Sequence, residues 1–242
     1  DGAANTAVPI TRTVNVVDAT APVITLLGNA VVTHECGSTY TDGGAAASDA
    51  CGGDLSGEIV TFNPVDAFAP GSYTVTYNVV DGSNNPAAEV VRTVTVTDTN
   101  APVITLNGAT PVTVQCGAAY SDAGAVAMDA CSGDLTTHIV TVNPVNTAVP
   151  GVYTVTYNVS DDSANAATQV TRTVNVVDST APEITLSGAN PVTVQCGSAY
   201  TDAGATAADA CGGNLTASIV RVNPVNTAVK GTYTVTYNVS DG

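Results

Sequence analysis

The chain has 242 residues, 21 of them acidic and 5 basic, for a formal net charge of −16. That sign repels nucleic acid and anionic membrane surfaces, and no apolar run approaches the ~20 residues needed to span a bilayer, so nucleic-acid binding and membrane insertion of this segment are excluded. Hydrophobic residues make up 44%, with no Trp and only 2 Phe, so the expected core is a thin layer of Val and Ala between two sheets.

Residues 1–18 come first. Thr11-Arg12-Thr13-Val14-Asn15-Val16-Val17-Asp18 alternates in period two and returns unchanged as Thr171 to Asp178. The segment 1–18 therefore reads as the closing strand of an absent repeat, with Thr11, Arg12, Val14 and Val16 as its strand residues. From there the sequence repeats at one fixed offset: Ala21-Pro22-Val23-Ile24-Thr25-Leu26 returns at Ala101 and, with Glu183 for Val, at Ala181. Between residues 101–162 and 181–242, 47 of 62 aligned positions are identical. The expected domains are 19–98, 99–178 and 179–242, the last without a closing strand. Two explanations stay open for this phase. One is a crop from a longer continuous array; the other is donation of residues 1–18 to the open third domain of a neighbouring subunit, which would polymerise the chain with itself head to tail.

Within the middle copy, strands are expected at Ile104-Thr105-Leu106, Val112 to Cys116, Ile139 to Asn143, Tyr153 to Val159 and Val170 to Val176. Tyr and Val share one face of the fourth, Thr and Asn the other, as in a half-buried strand. Asn107-Gly108, Asp122-Ala123-Gly124, Ser132-Gly133-Asp134 and Pro150-Gly151 supply the turns. The fold class is all-β: tandem immunoglobulin-like antiparallel β-sandwiches. Tyr73, Tyr153 and Tyr233, each following a Gly-x step, are either tyrosine corners or ordinary core residues. Arg12, Arg92 and Arg172 share the parity of the strand valines and are expected near a sheet end, paired with a repeated Asp. Short Pro-containing linkers such as Asp98 to Pro102 favour a semi-rigid array in which each repeat touches only its neighbours.

The motifs Ala101 to Gly108, Tyr120-Ser121-Asp122-Ala123-Gly124-Ala125, Gly133-Asp134-Leu135-Thr136, Gly151 to Tyr157 and Arg172 to Val176 carry a resemblance. Each repeat resembles the bacterial immunoglobulin-like domain of the insecticidal-crystal-protein type and, more distantly, the hyalin-repeat domain. The resemblance implies a spacer or module of a surface protein or secreted enzyme. The chain departs from that pattern by adding a Cys pair to each repeat and by carrying Ser163-Ala164-Asn165 where a Gly-Asn pair is usual.

The two cysteines of each repeat recur in register and suggest one intradomain disulfide each: Cys36–Cys51, Cys116–Cys131 and Cys196–Cys211. Each such loop stabilises by roughly 3 kcal/mol in the chain-entropy model and places the chain outside a reducing cytosol. Asp18, Asp98 and Asp178 end the closing strands, while Asp49, Asp129 and Asp209 lie within the expected stapled loops; together they are the candidate calcium ligands, with turn capping as the competing explanation. No other cofactor is expected. His34 and His138 do not recur from repeat to repeat, so neither a zinc site nor a Ser/His/Asp triad is expected, and the chain is read as non-catalytic. The expected role is a structural segment of an extracellular fibre or stalk on a microbial cell surface, the alternative being a spacer or adhesion module, calcium-stiffened, of a larger secreted adhesin or enzyme.

Overall fold

The computed structural model describes Gly2, Ala4 and residues 6–241; Asp1, Ala3, Asn5 and Gly242, at the ends of the expected segments, lie outside the described residues. The described residues are all-β apart from three single-turn 3-10 helices. Two compact units divide the chain: Asp1–Asn100 with Ala130–Gly133, and Ala101–Asp129 with Asp134–Gly242.

In the first unit the strands are β1 (Val23–Leu26), β2 (Val31–Glu35), β3 (Ala45–Asp49), β4 (Gly53–Asp54), β5 (Val60–Phe62), β6 (Gly71–Asn78) and β7 (Val90–Thr97). They form two sheets, β1-β3-β4 and β2-β7-β6-β5. The chain leaves β1 at Leu26, changes sheets across residues 27–30 and continues as β2. Consequently β2 runs parallel to β7, with Val31 opposite Thr93. The expected antiparallel sandwich is present, and this one parallel pair is added to it because the strand changes sheets without reversing direction.

The middle repeat follows the same order as β8 (Val103–Leu106), β9 (Val112–Gln115), β10 (Ala125–Asp129), β11 (Gly133–Asp134), β12 (Val140–Val142), β13 (Gly151–Asn158) and β14 (Val170–Val177). The third is sparser: β15 (Glu183–Leu186), β16 (Ala205–Asp209), β17 (Gly213–Asn214), β18 (Val220–Val222) and β19 (Thr236–Asn238). β18 pairs only with β19, and residues 192–195, aligned with β9, form no strand.

Alternation explains the cores. Val75, Tyr77, Val94 and Val96 point inward from β6 and β7 onto Ile24, Ala47 and Leu55 of the opposite layer. Val155, Tyr157 and Val174 repeat this against Ile104, Ala127 and Leu135. Each fully buried Val contributes about 1.5–3 kcal/mol. The Tyr73 hydroxyl donates to the Ala69 carbonyl at 2.9 Å, as do Tyr153 to Val149 at 2.9 Å and Tyr233 to Val229 at 3.0 Å. These tyrosines are therefore corners that tie the chain to its own preceding turn.

Residues 6–17 are exposed and belong to no sheet. Thr11, Arg12, Val14 and Val16 close nothing within this chain.

Candidate functional site

Each complete repeat buries one arginine. Arg92, from β7, is 1% exposed rather than lapped by solvent at a sheet end. Its Nη1 donates to Asp42, and its Nε and Nη2 donate to the Asn29 and Leu27 carbonyls at 2.9 and 2.6 Å. Tyr40 donates to the same carboxylate at 2.9 Å, and the Tyr77 hydroxyl donates to it as well. Burial pushes the Asp42 carboxyl up, but the donors from Tyr77 and Arg92 outweigh it and hold the group at about 2. Arg172, Asp122, Tyr120 and Tyr157 repeat the arrangement. The Arg–Asp pairing expected of Arg92 and Arg172 is present, whereas Arg12 is exposed; the chemistry of the pair is that of a lock, the guanidinium of Arg92 tying the turn after β1 and the turn before β3 to the closing strand.

The third repeat departs from this. Asp202 accepts from Tyr237, Tyr200 and Arg221, and the Arg221 side chain is 50% exposed. Arg221 comes from β18, where the other repeats carry Thr61 and Thr141.

The disulfides overturn the expected pairing. Cys36 bonds Cys131 and Cys116 bonds Cys211, each 95 residues apart, with Cα–Cα distances of 5.4 and 5.8 Å. Cys51 and Cys196 are free and exposed. The cause is the sheet change at residues 27–30. Cys36 follows β2 and donates its N–H to the Thr97 carbonyl at the far end of β7. Cys51 follows β3, which runs antiparallel to β1 with Ser48 opposite Val23, at the end where β1 begins. β1 and β2, placed in series, separate the two cysteines by roughly 30 Å at ~3.3 Å per residue, far beyond the ~7 Å Cα limit of a disulfide. Each bonded cysteine reaches a neighbouring repeat's partner instead. Gly37 makes room for this: its φ is +84°, and a Cβ there would lie 2.7 Å from the Ala130 Cβ.

At the end where β1 begins, the fold gathers carboxylates. Asp18, Asp49 and Asp81 each offer an oxygen within 4.8 Å of the other two, and Asp178, Asp209 and Asp241 do the same in the second unit. Asp49 accepts the Cys51 and Gly52 amides, Asp81 accepts those of Ser83 and Asn85, and Thr20 Oγ1 donates to Asp18 at 2.8 Å. The Gly52 and Cys51 amides hold the Asp49 carboxyl below the usual range. Asp81 is held down by the Asn85 amide, against its burial and the neighbouring Asp49 charge. The geometry brings Asp18 to Asp49 and Asp178 to Asp209, candidates that the sequence analysis drew from two different places in the repeat, and adds Asp81 and Asp241, whose recurrence is visible in the sequence but whose proximity only the fold creates. These oxygens could hold a divalent cation, and they also cap their own turns. Asp98 and Asp129 stand at the matching positions, after β7 and at the end of β10.

His34 Nε2 lies 2.9 Å from the Ser38 carbonyl and its ring meets Tyr40 edge-on at 5.3 Å. Its partners are local turn groups. Among the described residues no helix is long and apolar enough to cross a membrane.

The family model described as bacterial surface protein, Ig-like domain, matches the chain three times, over residues 24–96, 104–176 and 184–242. Hyalin of Strongylocentrotus purpuratus is 32% identical over 197 residues, which cover 73% of this chain and 16% of hyalin. Among solved structures, the M60 catalytic domain of Clostridium perfringens ZmpB with its CBM51-1 and CBM51-2 domains is similar at 12% identity and a TM-score of 0.40, over 78% of this chain and 33% of that one. Human protocadherin-24 EC1-2 is similar at 14% identity and a TM-score of 0.31, over 66% of this chain and 100% of that one. At these scores the structural likenesses carry no argument about function.

Proposed function

The chain belongs to the bacterial surface protein Ig-like domain family, and from that premise we propose that it is a non-catalytic, load-bearing segment of an extracellular fibre or stalk on a microbial cell. One observation carries the reading: the disulfides run from one repeat to the next, Cys36 to Cys131 and Cys116 to Cys211, instead of closing each repeat on itself. A bond of that kind adds little to folding a single sandwich that an internal staple would not add. It does carry tension past the junction peptide, because the covalent path no longer depends on the linker alone. Buried Arg–Asp–Tyr locks on the closing strands suit the same task, since a pulled strand must first break a desolvated ion pair.

Antibodies against the chain test this. Labelling of intact, unpermeabilised cells on structures that project from the envelope supports the reading; label confined to permeabilised cells overturns it.

A second reading, a spacer or adhesion module of a larger secreted protein, draws on the small share of hyalin that the chain spans, 16%. In that reading the Asp18 and Asp178 clusters bind calcium at the repeat ends. The sequence flanking the array separates the two: a catalytic or ligand-binding domain there favours the spacer.

A further inference from the structure

Arg92 and Arg172 occupy the same place in their repeats, but one bond differs. Arg92 Nε donates to the Asn29 carbonyl at 2.9 Å. In the middle repeat Ala109 stands where Asn29 stands. There the Nε of Arg172, on a side chain 1% exposed, finds no acceptor among the described residues. The other bonds recur: Nη1 donates to Asp122, and Nη2 donates to the Asn107 and Gly124 carbonyls. A buried N–H without an acceptor carries the full cost of its desolvation, so an oxygen is called for at this one point.

Arg172 also forms part of the wall of a cleft of about 500 Å³, together with Val112, Thr113, Val114, Tyr120 and Ser121. That volume falls within the roughly 300–1,000 Å³ of small-molecule sites. The first repeat explains the cleft by contrast. His34 occupies the place of Val114, and its ring meets Tyr40, the counterpart of Tyr120, edge-on at 5.3 Å. The first repeat thus supplies two things from its own chain, an amide carbonyl to the buried arginine and a ring to the tyrosine. The middle repeat supplies neither, because valine is shorter than histidine and no carbonyl reaches Arg172 Nε.

The two missing pieces define the chemistry of a ligand. It offers an amide carbonyl to Nε and a ring to Tyr120. It is neutral, because Asp122 already matches the charge of the guanidinium and the chain's net charge of −16 repels anions. It carries hydroxyls, because Thr113 and Ser121 place theirs in the wall. We propose that the cleft of the middle repeat binds a neutral N-acetylated amino sugar, whose acetamido carbonyl accepts from Arg172 Nε and whose ring lies against Tyr120. This goes beyond the load-bearing role and gives a structural segment a hold on glycan.

The test is a titration of the isotope-labelled full chain with N-acetylglucosamine at millimolar concentration, read at the Nε–H signals of Arg12, Arg92, Arg172 and Arg221. The expected result is a saturable shift at Arg172 while Arg92, whose Nε is already bonded, stays in place. Glucose lacks the acetamido carbonyl and should bind about tenfold more weakly or less, and glucuronate, an anion, should not bind. Val114→His installs the first repeat's own ring, and Ser121→Trp covers the rim; each should weaken binding by about tenfold or more. Ser121 is exposed, so its variant leaves the core intact even where Val114→His perturbs folding. An Arg172 signal that does not move overturns the proposal and leaves water as the acceptor. So do equal affinities for glucose and N-acetylglucosamine, a matching shift at Arg92, or binding that survives both variants. A shift produced by N-acetylglycinamide and not by the sugar overturns it too, because the cleft then takes peptide. None of these outcomes alters surface labelling, so the structural reading stands or falls separately.

Discussion

The Arg92 guanidinium donates to the Asp42 carboxylate inside the first sandwich, and Arg92 Nη1 also donates to the Tyr77 hydroxyl at 2.9 Å. Both charges leave water on folding, so their attraction offsets a large desolvation cost. Arg92→Met leaves Asp42 without its counter-ion and should lower stability by about 3–5 kcal/mol, whereas Arg92→Met combined with Asp42→Leu should recover most of the loss. The exposed pair in the third repeat provides the contrast: Arg221→Ala should cost under ~1 kcal/mol. Urea unfolding followed by tyrosine fluorescence measures all three. Equal losses at Arg92 and Arg221 would sink the distinction between lock and surface pair.

The same carboxylate sets an acid limit. Asp42 has its folded value lowered from 3.8 to about 2, and Asp122 shifts in the same direction. A depressed folded value means that the unfolded chain binds the proton more readily. The stabilisation from Asp42 is therefore complete above pH 3.8 and drains away as the pH falls toward about 2, by an amount on the order of 2 kcal/mol in the first repeat. A stability profile between pH 5 and 2 should slope downward toward acid, and Asp42→Asn should flatten part of that slope. A flat wild-type profile would remove Asp42 as its cause.

Much of this fold is legible in the sequence, because strand alternation is a local signal and the fixed repeat offset a translational one. Tyr73 and the Gly before it announce the corner, and the parity of Arg92 with Val94 and Val96 announces an inward arginine. Spacing alone misreads the disulfides for a definite reason. Cys36 and Cys51 look like the ends of a closed loop only if both lie at one end of the sandwich. The sheet change between Leu26 and Val31 sends them to opposite ends, and no periodicity records so short a crossover. The signal that the sequence does hold is the equal recurrence of the 95-residue spacing. Asp81 is likewise visible as a repeated residue but lies far beyond Asp49 along the chain, and only the descent of β6 brings it back to the end where β1 begins.

A tryptic map decides the disulfide connectivity directly. Arg12, Arg92, Arg172 and Arg221 divide the cysteines among peptides 13–92, 93–172 and 173–221. With Cys36–Cys131 and Cys116–Cys211, all three peptides travel as one covalent species after alkylation and digestion without reductant. Pairing within repeats would release each peptide separately.

The turn after β13 holds Ala164 at φ +68°, where the first repeat places Asn84 at +65°. A side chain with Cβ is strained in that region by about 1–2 kcal/mol, and Asn tolerates it better than Ala. Ala164→Gly should therefore raise stability by roughly 1 kcal/mol, less the entropy that glycine gains in the unfolded chain. Ala164→Asn should give a smaller gain. A loss in both variants would show that the turn relaxes when the chain is free to do so.

Asp18, Asp49 and Asp81 crowd three carboxylates into one end of the first repeat. Their mutual repulsion is relieved by a bound cation or by protonation, and calcium takes six to eight oxygens from just such loop and strand-end donors. Added calcium should raise the unfolding temperature, and an excess over the dissociation constant of about 100-fold corresponds to ~2.7 kcal/mol. Asp49→Asn with Asp81→Asn should abolish the calcium response of this cluster and spare that of Asp178, Asp209 and Asp241, because Asn keeps the oxygen that accepts the turn amides but loses the charge. Magnesium, which demands a tighter octahedron, should act more weakly. Identical melting curves in calcium and in chelator would leave the carboxylates with turn capping alone.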